Sequence, residues 1–387
     1  MQPISTRLSK TLVPSAFLLA ACSTDPLNHL SQQGSQDWPT FRGSPTRTGA
    51  TEDATPVTDP VLAWEADLGG TIESSPTLWD GRVYCGTFNN LLGAFDAETG
   101  ELAWQFDVGG LVRASPSVVA GTVYFGADDD RFYAVDAATG QERWHVKLGP
   151  GGEQSSPAIV GDWCVFGAFD NSVYAVDVQT GEIRWTYATE GAILSSPVVA
   201  QGVVAIGSAD GALYVLELET GELRHRIQTE NTIWSSPSIH NGRVFVGSDD
   251  NAVYAVDLAS GEVAWRFETG GTIFSSPVID PAQNVLYVGS DDGHLRALRL
   301  DDGSLEWSTD LRGRVLGTPA LVDDWLYVGG EGSGGDLPGA MFALDRKDGA
   351  IRWRFEVGAT VWSSPLATGQ ALYFGAHDNK LRKLVQR

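Results

Sequence analysis

Cysteine, histidine and clustered carboxylates are the side chains from which this chain could build a catalytic or metal site. Its histidines are scattered, at positions 29, 145, 225, 240, 294 and 377. Cys85 and Cys164 each lie within an apolar, strand-like run, VYCG or WCVFG, which favours buried free thiols over a disulfide. The sequence has no adjacent cysteine pair, no Cys-x-x-Cys, no phosphate-binding loop and no DxDxDG calcium loop. We therefore expect neither structural zinc nor catalysis, and we interpret the acidic runs as turns.

The first 21 residues have the features of a secretory signal. A short basic stretch precedes an apolar run over 11–21 that is too short to cross a bilayer. The run ends in LAAC, which resembles a bacterial lipoprotein signal. The resemblance implies a signal peptide over 1–21, lipidation of Cys22 and a polar tether over 22–37. Ser23, directly after the cysteine, implies sorting to the outer membrane.

The chain is strongly acidic, with a formal net charge of −23 at pH 7. Removal of residues 1–21 leaves 24 basic and 49 acidic residues, a net charge of −25. Such a field repels phosphate backbones, so nucleic acid is excluded as an expected partner. A basic partner and a saline habitat would both account for the acidity, and the sequence leaves both open.

A repeat of about 40 residues organises the chain from residue 61 onward. Its tryptophan recurs at positions 64, 104, 144, 185, 265, 307 and 353, with His225 in the fifth place. Its proline recurs at positions 76, 116, 157, 197, 237, 277, 319 and 365. Within each unit, apolar runs of period two are separated by Asp-Asn, Asp-Gly and Thr-Gly turns. The sequence therefore predicts an all-β, eight-bladed β-propeller with four-stranded antiparallel blades over 61–387.

The two ends of the repeat array predict how the ring closes. The last unit stops before its outer strand, and the first begins with an outer strand, VLAWEAD. Residues 61–66 should therefore complete the blade whose other three strands come from 360–385. Each repeat tryptophan should dock between blades with its indole N–H bonded to backbone. Residues 38–60 are predicted to latch the tether onto the outside or base of the ring through Trp38 and Phe41.

The residues before each repeat proline predict a site. The two nearest are small because inner strands crowd the axis, and the fourth is apolar in seven of eight repeats, so it should pack between blades. The third must then point toward the mouth of the central funnel. This ring reads Glu73, Arg113, Gln154, Leu194, Trp234, Phe274, Leu316 and Trp362. We assign partner binding to Arg113, Leu194, Trp234, Phe274, Leu316 and Trp362, although aromatic rings folded inward would plug the channel instead. The Gly-rich insertion over 329–340 is expected on the same face as a mobile cover.

The AxDxxTGxxxW and SSP motifs, with the leading DWPTFRGSPTRTGA, resemble the PQQ-like repeat family over residues 38–387. Together with Cys22 and a single ring, they are similar to the BamB lipoproteins of outer-membrane β-barrel assembly. That resemblance implies a non-catalytic scaffold on the periplasmic face of the outer membrane. It also implies that the loops leading into the inner strands hold a protein partner, the barrel-inserting subunit. The segments before Pro197 and Pro237 read GAILSS and NTIWSS, and they do not reproduce the Leu-x-Leu-Arg and Asp-x-Asp motifs associated with that contact.

Two other functions remain open at the level of sequence. An envelope propeller could bind a small molecule, glycan or peptide on its aromatic side chains. A PQQ-dependent dehydrogenase would need an adjacent cysteine pair and axial Glu, Asn and Asp residues, for which this chain has no obvious counterpart. We therefore expect no cofactor, and a monomeric propeller acting within a complex.

Overall fold

A computed structural model describes residues 40–43, 50–51, 55–152, 155–332, 338–368 and 370–387. The predicted signal peptide, Cys22, the tether and Trp38 lie outside these residues. So do Glu153 and Gln154 of the repeat, and part of the Gly-rich insertion. No helix of bilayer-spanning length and hydropathy occurs in the described part of the chain.

The described residues form eight sheets that follow one another along the chain. Blade 1 consists of β3 (Thr77–Trp79), β4 (Arg82–Thr87), β5 (Leu91–Asp96) and β6 (Leu102–Asp107). Blade 2 consists of β7 (Ser117–Val119), β8 (Thr122–Ala127), β9 (Arg131–Asp136) and β10 (Glu142–Lys147). Blade 3 consists of β11 (Ala158–Val160), β12 (Trp163–Ala168), β13 (Ser172–Asp177) and β14 (Ile183–Ala188). Blade 4 consists of β15 (Val198–Ala200), β16 (Val203–Gly207), β17 (Ala212–Glu217) and β18 (Leu223–Gln228).

The second half of the ring repeats this order. Blade 5 consists of β19 (Ser238–His240), β20 (Arg243–Ser248), β21 (Ala252–Asp257) and β22 (Val263–Glu268). Blade 6 consists of β23 (Val278–Asp280), β24 (Val285–Gly289), β25 (His294–Arg299) and β26 (Leu305–Asp310). Blade 7 consists of β27 (Ala320–Val322), β28 (Trp325–Gly330), β29 (Ala340–Asp345) and β30 (Ile351–Glu356), with the short β1 (Ala50–Thr51) beside β27. Blade 8 consists of β31 (Leu366–Thr368), β32 (Ala371–Gly375), β33 (Lys380–Gln386) and the early strand β2 (Pro60–Asp67).

The predicted closure of the ring is confirmed. The outer strand β2 pairs antiparallel with β33, from Pro60 opposite Gln386 to Asp67 opposite Lys380. Glu65 also forms ion pairs with Lys380 and Arg382 across this pairing. Because the first outer strand completes the last blade, the ring has no unpaired outer edge at its seam.

The repeat tryptophans pack between blades, as predicted. The indole N–H of Trp185 donates to the carbonyl of Leu218 at 2.8 Å, and that of Trp265 to Leu300 at 2.9 Å. His225 takes the same place, with Nε2 3.1 Å from the carbonyl of Leu258. These bonds satisfy a ring nitrogen that would otherwise be buried without a partner.

The inner strands pack so closely that the second strand of a blade needs glycine. The apolar residue four positions before each described repeat proline is buried against the preceding blade, as predicted. Ile233 is 1% exposed and covers Gly207 of β16, where an added Cβ would lie 2.2 Å from its Cγ2. The same contact at the seam joins Ile72 to Gly375. Cys85 and Cys164 are buried free thiols in different blades, also as predicted.

Candidate functional site

The connections into the inner strands bring the predicted ring residues together around one cavity. This mouth cavity has a volume of about 260 Å³ and lies on the axis. All six residues assigned to partner binding line it, as does Glu73: Arg113, Leu194, Trp234, Phe274, Leu316 and Trp362. Each of these side chains is half-buried. The aromatic rings therefore line the cavity wall and do not fill the channel.

Below these side chains, the residue immediately before each repeat proline forms a closed ring of hydrogen bonds. In each blade its backbone N–H donates to the hydroxyl of the equivalent residue in the next blade, at 2.8–3.1 Å. The last bond runs from Ser364 N–H to Ser75 Oγ at 2.9 Å and crosses the seam. We call this set the hydroxyl ring: Ser75, Ser115, Ser156, Ser196, Ser236, Ser276, Thr318 and Ser364.

From the sequence, we interpreted these residues only as small side chains and did not predict their hydrogen bonds. The signal was present, because all eight positions carry a hydroxyl whereas the position before them also admits Ala114 and Gly317. That preceding serine has a different role. Ser195 Oγ, for example, accepts the N–H of Gly207 within its own blade at 3.1 Å.

One side of the mouth cavity is charged. The Arg113 guanidinium lies 3.1 Å from Asp128 and 3.9 Å from Glu73, and it stacks on Phe88 at 4.5 Å. Burial raises the pKa of Glu73, an effect that Arg113 opposes and Asp128 reinforces. His377 Nε2 lies 3.6 Å from Glu73 Oε1. Neighbouring blades thus contribute both positively and negatively charged side chains to this side of the cavity.

The opposite side is aromatic and aliphatic. Trp234 and Phe274 lie with ring centroids 5.9 Å apart. Trp362 closes the arc beside His377, with ring centroids 4.7 Å apart. We call Leu194, Trp234, Phe274, Leu316 and Trp362 the apolar arc.

Asp249 lies behind the apolar arc, next to Trp234. The indole N–H of Trp234 donates to Asp249. Burial raises the pKa of Asp249 to about 6, the Trp234 hydrogen bond opposes this shift, and the charges of Asp291 and Asp250 reinforce it. This carboxyl therefore changes its charge just below neutral pH.

Arg314 also lines the mouth cavity, and the sequence interpretation missed it because it lies five residues before its proline. Its guanidinium is held by Asp291 at 3.0 Å and by Glu331 at 3.3 Å. Glu331 belongs to the Gly-rich insertion, whose residues 333–337 lie outside the described range. The proposal that this insertion covers the mouth stays a prediction.

The floor of the mouth cavity is formed by residues 40–43, which we call the axial segment. Phe41 lines the cavity and is 9% exposed. Thr40 Oγ1 lies 2.9 Å from Ser117 Oγ on blade 2, and Arg42 donates to Ser238 Oγ on blade 5 at 2.6 Å. The prediction that Phe41 latches onto the outside or base of the ring is therefore wrong. Its large apolar ring is buried in the channel, where inner strands surround it on all sides.

The acidic turns on the mouth face serve the fold. Asp210 accepts bonds from the Tyr214 hydroxyl at 2.7 Å and from two backbone N–H groups. Asp250 makes the equivalent contacts with Tyr254, Glu230 and Ala252. This confirms the interpretation of these runs as turns. Among the described residues, no group of three or more His, Cys, Asp or Glu side chains is placed to hold a metal ion.

A family model described as the outer membrane protein assembly factor BamB matches residues 58–192, 170–315, 253–336 and 307–387. The chain belongs to the BamB family. No curated protein matches it. The matched residues include every blade and the closing strand β2, so membership applies to the whole propeller.

Solved structures with a similar fold include both a BamB and enzymes. BamB from Moraxella catarrhalis is 18% identical with a TM-score of 0.67, covering 85% of this chain and 98% of that one. Quinohemoprotein alcohol dehydrogenase from Comamonas testosteroni is 15% identical with a TM-score of 0.77, covering 94% and 82%. A europium-containing methanol dehydrogenase is 12% identical with a TM-score of 0.79, covering 93% and 100%. At these identities the likeness establishes the propeller fold alone.

The described residues of this BamB-family propeller do not fit a metal-bound quinone. Glu73 is the one carboxylate among the described residues lining the mouth cavity, and it lies beside Arg113 and His377. Cys85 and Cys164 lie in different blades and are buried. Phe41 occupies the axis directly below. The arrangement offers an apolar surface and fixed charges, which suit binding.

Proposed function

We propose that this BamB-family propeller is a lipid-anchored, non-catalytic scaffold of the cell envelope that binds protein partners at its mouth cavity. Its role is in the assembly of outer-membrane β-barrel proteins, at the periplasmic face of the outer membrane, and it works without a cofactor. Family membership supports a scaffold role. The finer assignment draws on the cavity, on the LAAC motif and on the acidity of the chain.

An apolar arc facing a charged arc around one cavity is the observation that supports this function best. Aromatic and aliphatic side chains left half-exposed in a cluster are typical of surfaces that a partner covers. Arg113, Glu73 and Asp128 would then fix the orientation of that partner. The cavity volume of about 260 Å³ is close to the lower end of the ~300–1,000 Å³ usual for small-molecule pockets, and it is large enough to take an inserted protein side chain.

Site-specific photo-crosslinking in intact cells tests the partner. A crosslinking residue at position 234 or 362 should capture an envelope protein, identified by mass spectrometry. The matched control places the crosslinker at Leu102, which is 52% exposed on the outer strand of blade 1 and far from the cavity. Capture of the barrel-inserting subunit from 234 and 362 but not from 102 would support the proposal. Equal capture from all three positions would contradict it.

A double substitution tests the same surface by loss of binding. Because Trp234 and Trp362 are half-buried, changing both to serine should leave the propeller folded while reducing partner capture from a crosslinker at position 316 at least tenfold. The control changes Leu102 and Leu305, which are exposed on outer strands, to serine. Unfolding of the Trp variant would show that the two rings serve packing. A folded variant with full capture would refute the assignment of the site.

The lipid anchor has its own test. Changing Cys22 to alanine should remove the lipid mass from the mature protein and move it from the membrane fraction to the soluble fraction. Retention in the membrane fraction at unchanged mass would refute lipidation at this residue.

A further inference from the structure

We propose that Phe41 is the specificity-determining residue of the mouth cavity, because it closes the cavity from below and limits it to one inserted apolar side chain. This inference rests on the proposed function and deepens it, since it states what the partner inserts. The inserted group is an aliphatic or aromatic side chain that enters along the apolar arc and stops at the Phe41 ring.

The position of the floor follows from the residues on either side of Phe41. Thr40 and Arg42 bond to Ser117 and Ser238, each of which lies two residues beyond the hydroxyl ring along its inner strand. Both flanking contacts are therefore deeper in the channel than the hydroxyl ring. The ring of Phe41 lies between them and lines the cavity from below.

The floor is held in place from opposite sides of the channel. Blade 2 holds Thr40, whereas Arg42 reaches blade 5 through Ser238 and blade 6 through the carbonyl of Pro277. In a ring of eight, blades 2 and 6 face each other. Further along, β1 pairs in parallel with the inner strand β27 of blade 7. A segment fixed at several blades presents a rigid surface to whatever enters from above.

The apolar arc above the floor favours an apolar group. The oxygens of the hydroxyl ring already accept backbone N–H bonds from neighbouring blades. The apolar arc lies above them on one side, whereas Glu73, Arg113 and Arg314 line the rest of the cavity. A side chain inserted there gains free energy by leaving water and by contact with aromatic faces. The length that fits is set by the distance to Phe41.

Changing Phe41 to alanine tests this assignment with two defined probes, N-acetyl-leucinamide and N-acetyl-tryptophanamide. Saturation-transfer NMR on the full mature chain gives both dissociation constants. Removal of the Phe41 ring should deepen the cavity. The affinity for the tryptophan amide, relative to that for the leucine amide, should then rise by roughly tenfold. A change of this size corresponds to the burial of about one further methylene-sized group. Phe41→Leu should shift the ratio in the same direction by less. Phe106→Ala, the same kind of change on an outer strand, should leave it unchanged.

A disulfide variant controls for the possibility that Phe41→Ala releases the axial segment from the channel. The Oγ atoms of Thr40 and Ser117 lie 2.9 Å apart, so cysteines at both positions should form a bond on oxidation. Peptide mapping would identify the linked fragments. Phe41→Ala in this oxidised background keeps the segment in the channel and should show the same shift in probe preference.

Three results are decisive. An unchanged affinity ratio in folded Phe41→Ala protein would overturn the inference. Failure of either probe to bind, with partner capture from position 234 intact, would overturn it and leave the proposed function standing. The expected shift without any captured partner would support the role of Phe41 in the cavity and reject the proposed function.

Discussion

Replacing Trp64 by alanine tests whether the ring is closed through β2 in solution. Trp64 lies on the one outer strand that comes from the opposite end of the chain. Its indole N–H donates to the carbonyl of Ala97 at 3.2 Å, and its ring packs against Gly100 and lies 5.9 Å from Tyr373. Trp185 makes the equivalent contacts with Leu218 and Gly221 inside the array, so it is the matched control.

The size of the effect follows from the burial of the indole. Loss of a buried tryptophan costs about 3–5 kcal/mol, and because Trp64 is half-buried we expect the lower figure, about 3 kcal/mol. The eight blades span residues 60–386. For roughly 330 residues, an unfolding entropy of about 2.1 cal/mol/K per residue amounts to ~0.7 kcal/mol/K. The melting temperature should therefore fall by about 4 °C.

Differential scanning calorimetry of the wild type and of the Trp64→Ala and Trp185→Ala variants gives the comparison. In a closed ring both substitutions remove the same contacts, so both should lower the melting temperature by similar amounts. An open seam would leave Trp64 without a partner blade. If Trp185→Ala lowered the melting temperature by the expected amount while Trp64→Ala left it unchanged, the closure through β2 would be refuted.

Three further predictions concern the packing, the hydroxyl ring and the titration of one carboxyl group. Gly207→Ala should cost about 2 kcal/mol or more through its clash with Ile233, and adding Ile233→Ala should recover part of that loss in urea unfolding. Ser364→Ala should cost about 1–2 kcal/mol because the Thr318 N–H loses its acceptor, whereas Ser364→Thr keeps the hydroxyl and should cost less. The folded pKa of Asp249, about 6, exceeds its ordinary value of 3.8, so its contribution to stability is present below about pH 4 and is lost as pH rises through 6. The melting temperature of Asp249→Asn should therefore exceed that of the wild type at pH 7 and equal it at pH 4. A difference in melting temperature that stays constant across this pH range would contradict the raised pKa.

The periodic features of the fold could be predicted from sequence because each repeat restates them. Eight copies of the tryptophan and the proline fix the number of blades, and the incomplete units at the two ends fix the closure. The side of the chain on which Trp234 or Phe274 lies follows from the buried residue before it, since neighbouring residues in extended backbone point to opposite sides. The position of each residue relative to the repeat proline was therefore enough to predict that these six side chains face the cavity.

Features outside the repeat could not be predicted in the same way. Phe41 precedes the first blade, so no second copy indicates where it packs, and its ring suits the outer surface and the channel equally on hydropathy alone. Arg314 lies in a connection that differs in sequence from the others. The pKa of Asp249 depends on its burial and on the hydrogen bond from Trp234, a contact between separate segments that spacing does not encode.

The axial segment also determines how the ring bears mechanical load. Tension applied to the chain ahead of Thr40 reaches blade 2 and, through Arg42, blades 5 and 6 before it reaches β2 at the circumference. These inner contacts share the force among several blades. A pull acting directly on β2 would instead separate its pairs with β33 one after another. Force that passes through the axial segment is therefore borne by these inner contacts before it can pull β2 away from β33.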